Sequence, residues 1–127
     1  MKITVLMENT ALEGCGLTPE AGLSLYIEYR GKKLLLDAGS SGKFAGNAQA
    51  LGVDLSAVEL AVLSHGHYDH ADGLRRFFQV NDSAKVYIRP GANGPHFSMG
   101  KNGPYFIGLH REIWAGHQDR FVEVAQP

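Results

Sequence analysis

The apolar and polar positions of the first third of the chain predict three β-strands. Residues 2–7 form a short, mainly apolar run that favours a strand. From residue 23 the pattern alternates with a period of two, which predicts a strand with one buried face made of Leu23, Leu25, Ile27 and Tyr29. A turn at Gly31-Lys32 leads into a returning strand that ends at Asp37, so residues 23–37 are predicted to form a β-hairpin.

The middle of the chain alternates predicted helices and strands. Phe44, Ala48 and Leu51 are spaced as one face of a helix that ends at Gly52, and Asp54 can cap the short turn that follows. The nearly continuous apolar run 58–63 predicts a strand that is buried on both faces. A second helical stripe comes soon after this strand and consists of Ala71, Leu74, Phe77 and Phe78.

The last third of the chain predicts a strand at 85–89, a helix at 109–117 and a final strand at 120–124. Residues 90–108 between them are rich in glycine and proline, and a long irregular segment of this kind is usually either functional or mobile. Strands come first in the chain and then alternate with helices. This order predicts an α/β fold of mixed layers (α+β) within one domain, residues 1–127.

Composition excludes some functions and favours one compartment. The formal net charge of −1 and the scattered basic residues give no electrostatic attraction to nucleic acid or to an anionic membrane. A single cysteine, Cys15, cannot form an internal disulfide, and its place between two glycines predicts an ordinary loop residue rather than a ligand or a reactive thiol. The apolar run at the N-terminus is too short for a signal peptide, so we expect a cytoplasmic protein.

The segment Ser64-His65-Gly66-His67-Tyr68-Asp69-His70 carries the chemistry that the sequence predicts. His65 and His67 are two positions apart, so both can project to the same side of an extended segment. Asp69 and His70 follow where the chain turns, and Gly66 leaves room for a sharp turn. Imidazole and carboxylate ligands together suit zinc, iron or manganese. We therefore predict one or two metal ions, with His65 and His67 on one and with Asp69 and His70 on the other.

This His-x-His-x-Asp-His segment after an apolar strand resembles the signature of the metallo-β-lactamase superfamily. Leu34–Gly39 resembles the strand-ending Asp-x-Gly element of that superfamily, which lies near the metals. The chain also resembles a branch related to the dihydropterin-forming synthase of methanopterin biosynthesis, although Ala21 stands where that branch often has a histidine. The segments that carry the branch resemblance are 8–10, 22–28, 64–74, 105–108 and 120–124.

The resemblance implies an αββα sandwich, of which this chain corresponds to the N-terminal half. In the family the second half supplies a third histidine for the first metal, a bridging aspartate and a last histidine. A half-sandwich exposes an apolar sheet face, which a homodimer or a complementing C-terminal half would cover. The family chemistry implies a catalytic role for Asp69, which would hold a metal and orient the nucleophile, and a supporting role for Asp37 beside the ligands. A strand-end turn is an equally good explanation of Asp37.

The remaining histidines are His96, His110 and His117, and each is predicted to be a surface histidine more readily than a metal ligand. His96 is the best of the three for contacting a substrate, because its loop lies over the site in the family. The function expected from the resemblance is a metal-dependent hydrolase, with zinc the first choice of cofactor and a small molecule as substrate. A non-catalytic metal-binding or assembly module and a pterin-related synthase-like enzyme are the alternatives.

Overall fold

The computed structural model describes residues 1–126, and one six-stranded sheet dominates the fold. Its strands run in the order β1-β2-β3-β4-β5-β8, and two further strands pair with each other in a separate hairpin. The strands are β1 (Lys2–Met7), β2 (Ser24–Tyr29), β3 (Lys32–Leu36), β4 (Leu60–Val62), β5 (Lys85–Ile88), β6 (Phe97–Gly100), β7 (Gly103–Phe106) and β8 (Phe121–Glu123). The helices are α1 (Lys43–Ala50), α2 (Tyr68–Ala71), α3 (Leu74–Val80) and α4 (Arg111–Ala115). Two short 3₁₀ turns lie at Leu55–Ala57 and Gln118–Arg120.

The sheet is antiparallel on one side and parallel on the other. β1, β2 and β3 pair antiparallel, whereas β3, β4, β5 and β8 run parallel to one another. This arrangement confirms the mixed α/β fold class. It also brings the carboxyl ends of β3 and β4 to the same edge of the sheet, where Asp37 and Ser64 follow them.

One face of the sheet is covered by helices and contains the core. The pairing register places Tyr26, Leu35, Ala61, Val86 and Phe121 in one row across this face, and all five are buried. Phe44 of α1 and Phe77 of α3 are fully enclosed on the same side. The core therefore lies between the helices and this one face.

The opposite face of the sheet is apolar and open, and we call it the open face. Val62, at 37% exposure, and Val5, at 48%, lie on it, and none of its members is buried. The pairing register assigns ten apolar side chains to the open face: Ile3, Val5, Leu25, Ile27, Leu34, Leu36, Leu60, Val62, Tyr87 and Val122.

Two sequence predictions about burial were wrong. The strand within 58–63 is not buried on both faces, because Val62 points to the open face. In β2 the buried residues are Ser24 and Tyr26 rather than the row of Leu25 and Ile27. The alternation was correct, but the apolar row faces outward since the helices cover the other side.

Three element boundaries also differ from prediction. The helical stripe after the histidine motif is divided into α2 and α3 at Gly73, where a Cβ atom would stand 1.8 Å from the carbonyl oxygen of Ala38. The segment 90–108 is not irregular throughout, because β6 and β7 form a hairpin within it. The last helix is shorter than 109–117 and comprises only α4. Within residues 1–126, no helix has the length and apolar character needed to cross a membrane.

Candidate metal centre

The predicted metal-binding segment lies at the shared carboxyl edge of β3 and β4. β4 ends at Val62, the backbone bends at residues 64–66, His67 is extended, and α2 begins at Tyr68. His67 is therefore the last extended residue, while Asp69 and His70 lie in the first helical turn. His65 and His67 precede the helix and Asp69 and His70 lie within it, so the two pairs of side chains approach one point from different directions. The extended segment predicted for His65 and His67 is bent at residues 64–66.

Asp37 is the buried carboxylate that organises this edge of the sheet. It is 2% exposed, and its Oδ1 accepts the backbone N–H of Ser64 at 2.7 Å. Its Oδ2 accepts the hydroxyl of Ser64 at 2.6 Å and lies 2.8 Å from Nδ1 of His70. Its backbone has a φ of 58°, a left-handed conformation that aspartate tolerates better than most residues. Asp37 thus orients Ser64 and His70 through hydrogen bonds, and its supporting role at a metal stays a prediction.

The hydrogen bonds of His65 and His70 determine which ring nitrogen of each is available to bind a metal. The ionised carboxylate of Asp37 can only accept, so Nδ1 of His70 carries the proton. The hydroxyl proton of Ser64 goes to Asp37, so the hydroxyl oxygen accepts from Nδ1–H of His65 at 2.8 Å. Nε2 of both rings is left as the free electron-pair donor. The role of Ser64 was not predicted from the sequence, where its one signal is a hydroxyl residue directly before the first histidine.

The predicted ligands form a compact cluster. The ring centroids of His65 and His67 are 4.6 Å apart, and those of His65 and His70 are 4.3 Å apart. Ligand atoms of His65, His67 and Asp69 all lie within 4.8 Å of one another. Nε2 of His70 lies 3.9 Å from Oδ2 of Asp69. The structure therefore places Asp69 near His65 and His67 as well as near His70.

The chemistry of this donor set fits a transition metal. Burial lowers the pKa of His65 below its ordinary value, and the neighbouring His70 and His67 lower it further, against the opposing effect of Asp37 and Asp69. A low pKa keeps the imidazole neutral, which is the form that binds a metal. Three imidazoles and one carboxylate suit zinc, iron or manganese. Within residues 1–126 a second candidate metal-binding group consists of Asp37, His65 and His70. Cys15 is exposed and belongs to neither group.

Comparison with known proteins identifies the family. The sequence profile of the metallo-β-lactamase superfamily matches residues 17–124, which is most of the chain. The chain belongs to the metallo-β-lactamase superfamily. Its fold agrees with this, because 98% of the chain superimposes on the crystal structure of Tm1679, a metal-dependent hydrolase of the β-lactamase superfamily. That superposition has a TM-score of 0.71 and 26% sequence identity.

Two curated proteins are similar to this metallo-β-lactamase superfamily chain in sequence. The uncharacterised protein MJ0448 of Methanocaldococcus jannaschii is 33% identical over 113 residues, which is 87% of this chain. The endoribonuclease YSH1 of Eremothecium gossypii is 38% identical over 80 residues, or 59% of this chain. The chain spans 41% of MJ0448, 41% of the Tm1679 chain and 10% of the endoribonuclease. None of these matches tests the dihydropterin-synthase branch, which stays a prediction.

The other three histidines of this superfamily member occupy different surroundings. The ring of His96 lies 5.5 Å from that of His67, so His96 belongs to the neighbourhood of the centre. His110 makes two hydrogen bonds to Asp72, one of them from its backbone N–H at 3.1 Å. His117 stacks on Phe78 with 4.4 Å between centroids. His110 and His117 therefore have structural partners, and neither joins a candidate metal group among residues 1–126.

A strand-like segment, residues 107–110, closes over the histidine motif, and we call it the strap. The N–H of Tyr68 donates to the carbonyl of Ile107 at 2.8 Å, and the N–H of Leu109 donates to the carbonyl of Gly66 at 2.9 Å. A β-bridge between His67 and Gly108 completes the pairing. The backbone of the motif is thus hydrogen-bonded on both sides of His67.

Proposed function

We propose that this chain is the metal-binding layer of a metal-dependent hydrolase, and that it holds zinc through His65, His67, Asp69 and His70. Iron and manganese are the alternative metals, and one or two ions are bound. The observation that carries the proposal is the convergence of these four side chains at one sheet edge, with His65 and His70 already oriented by Ser64 and Asp37. The resemblance to Tm1679 supports the same class of reaction.

Each side chain has a separate part in the proposed reaction. A zinc ion held here would act as a Lewis acid that polarises a substrate and activates water near neutral pH. Asp69, whose side chain is 33% exposed, would hold the ion and orient the water molecule. Asp37 is too deeply enclosed to touch a substrate, so its part is to hold the ring of His70 and the backbone of Ser64. His96 is the proposed contact to a small-molecule substrate.

The open face needs a second layer, and we propose that a second copy of this chain supplies it. Ten apolar side chains lie across that face, and none is buried. A patch of this kind exceeds what a soluble monomer usually exposes. The chain spans only 41% of the Tm1679 chain, so a complementing C-terminal half is the other occupant that an experiment must distinguish. A complementing C-terminal half would also supply the further ligands that the family resemblance implies.

Hydrolysis assays test the proposal. The rate of hydrolysis of a generic ester, a thioester and a phosphodiester is measured with the zinc-supplemented wild type. The same three rates are measured with the Asp69→Asn variant. We expect the wild type to hydrolyse at least one class and Asp69→Asn to lose at least about 100-fold in rate. Asp82→Asn, a change at an exposed aspartate outside the centre, is the matched control and should keep the wild-type rate.

The alternatives give different results in the same samples. Zinc bound at full occupancy without hydrolysis of any substrate class contradicts the hydrolase and supports a non-catalytic metal-binding or assembly module. Saturable binding of a reduced pterin, also without hydrolysis, supports the synthase-like enzyme instead.

A further inference from the structure

Two of the three clustered imidazoles have a hydrogen-bonding partner that orients them, and the third does not. His65 is held by Ser64 and His70 by Asp37, each through Nδ1 at 2.8 Å. Within residues 1–126, no hydrogen bond holds the ring of His67. Histidines that bind metals nearly always donate their second N–H to an acceptor, which fixes the tautomer and the ring plane. His67 therefore requires an acceptor that has not yet been assigned.

His96 presents an unused acceptor beside His67. The two ring centroids are 5.5 Å apart and the ring planes are 75° apart. Nδ1 of His96 is enclosed by protein and has no hydrogen-bond partner among the described residues. Two imidazoles that share one N–H···N hydrogen bond have centroids on the order of 5 Å apart. The observed separation is within a small rotation of that arrangement.

The fold places His96 through one backbone hydrogen bond and one close approach of its ring. Its carbonyl accepts the N–H of Ile107 at 2.8 Å, which ties it to the start of the strap. At the ring, a Cβ atom at Gly66 would stand 3.1 Å from Cε1 of His96, and it would stand 1.7 Å from the carbonyl oxygen of Ala92. The loop that carries His96 can therefore approach the motif only because residue 66 is glycine.

We propose that His96 is a positioning residue for His67: its Nδ1 accepts the N–H of the His67 nitrogen that does not bind the metal. The inference rests on the proposed metal site and adds an orienting partner for its third imidazole. Direct ligation by His96 fits the geometry less well, because the cluster of ligand atoms within 4.8 Å includes His65 and His67 but not His96. Since Nδ1 accepts from His67, the proposed substrate contact of His96 is made by Nε2 at the other edge of its ring.

Zinc affinity tests the positioning role, and a chromophoric chelator in competition with the protein measures that affinity. His96→Leu fills the space but removes the acceptor, whereas His96→Gln offers an amide oxygen in its place. We expect His96→Leu to weaken zinc binding 10- to 100-fold and His96→Gln to recover most of the loss. His117→Gln is the control and should leave the affinity unchanged. The melting temperature of each metal-free variant shows whether its fold is intact.

A double-mutant cycle separates positioning from a general structural effect. If His96 acts through His67, then His96→Leu should cause no further loss of zinc affinity in a His67→Ala background. An equal loss in both backgrounds, or unchanged affinity of His96→Leu in the wild-type background, overturns the proposal. Cobalt(II) spectra give a second readout, since direct ligation by His96 would change the band intensities in His96→Leu and positioning would not.

Zinc binding by the wild type distinguishes a failure of the metal site from a failure of the His96 role. A wild-type protein that binds no zinc contradicts the metal site and the positioning role together. A wild-type protein that binds zinc, with an affinity that His96→Leu retains, contradicts only the role of His96.

Discussion

Asp37 is the single residue on which the orientation of two predicted metal ligands depends. Its two oxygens accept from the backbone and hydroxyl of Ser64 and from Nδ1 of His70. Through the Ser64 hydroxyl it also determines which nitrogen of His65 is free. The sequence suggested Asp37 as a supporting residue only through the family resemblance, because an aspartate at a strand end is equally common in a turn.

Replacing Asp37 by asparagine should weaken metal binding without a backbone penalty. Asparagine tolerates a positive φ as well as aspartate does, but one of its two acceptor oxygens becomes an NH₂ donor. We expect Asp37→Asn to lower zinc affinity 10- to 100-fold in a chelator competition. The exposed Asp82→Asn is the control. Wild-type affinity in Asp37→Asn would show that the carboxylate does not orient the ligands.

The pairing of the strap with the histidine motif is the main feature at the scale of elements. Gly66 permits it, because its carbonyl accepts from Leu109 while the position of its missing Cβ is occupied by the loop of Ala92. The motif therefore depends on an element more than 30 positions later in the chain. Sequence periodicity contains no information about a contact of this kind.

Gly66→Ala should displace the Ala92 loop, because the added methyl would overlap a backbone oxygen. We expect a loss of about 1–3 kcal/mol in unfolding free energy, measured by denaturant titration. Gly46 in α1 has no atom within 4 Å of its Cβ position, so Gly46→Ala is the matched control and should be neutral or stabilising by about 0.5–1 kcal/mol. Equal stabilities of the two variants would contradict the described packing at Gly66.

The sequence predicted most strands and helices, but it failed where local pattern and tertiary context disagree. Alternation located β2 correctly, yet its buried side was reversed, because periodicity shows two faces and not which one the helices cover. The hairpin of β6 and β7 was missed since Phe97–Gly100 and Gly103–Phe106 contain glycine and proline where a strand signal requires β-branched residues. The candidate metal site could be predicted because its four proposed ligands lie in one short segment.

The open face is the feature that matters most for the molecule as a whole. Its apolar side chains extend across all six strands, from Ile3 on β1 to Val122 on β8. Apolar surface of this extent favours association with another protein surface. The simplest symmetric assembly that covers it is a two-fold dimer with the two open faces in contact. Stability and oligomeric state should then be linked through protein concentration.

A lysine on the open face should dissociate the proposed dimer. Val62 lies on β4 near the middle of the sheet and is 37% exposed, so Val62→Lys adds a charge to the interface with little effect on the core. We expect light scattering to show a dimer for the wild type and a monomer for Val62→Lys. Leu12→Lys, at an 84% exposed position outside the sheet, should remain dimeric. A wild type that stays monomeric and soluble at all concentrations would contradict the dimer.

Metal content per chain, measured by elemental analysis of the wild type and of His67→Ala purified in parallel, tests the central claim most directly. The account predicts one or two ions of zinc, iron or manganese per wild-type chain, and substantial loss from His67→Ala. The control His117→Gln should retain wild-type content, because His117 stacks on Phe78 away from the cluster. Equal metal content in the wild type and in His67→Ala, or none in the wild type after incubation with zinc, would contradict the assignment of the site.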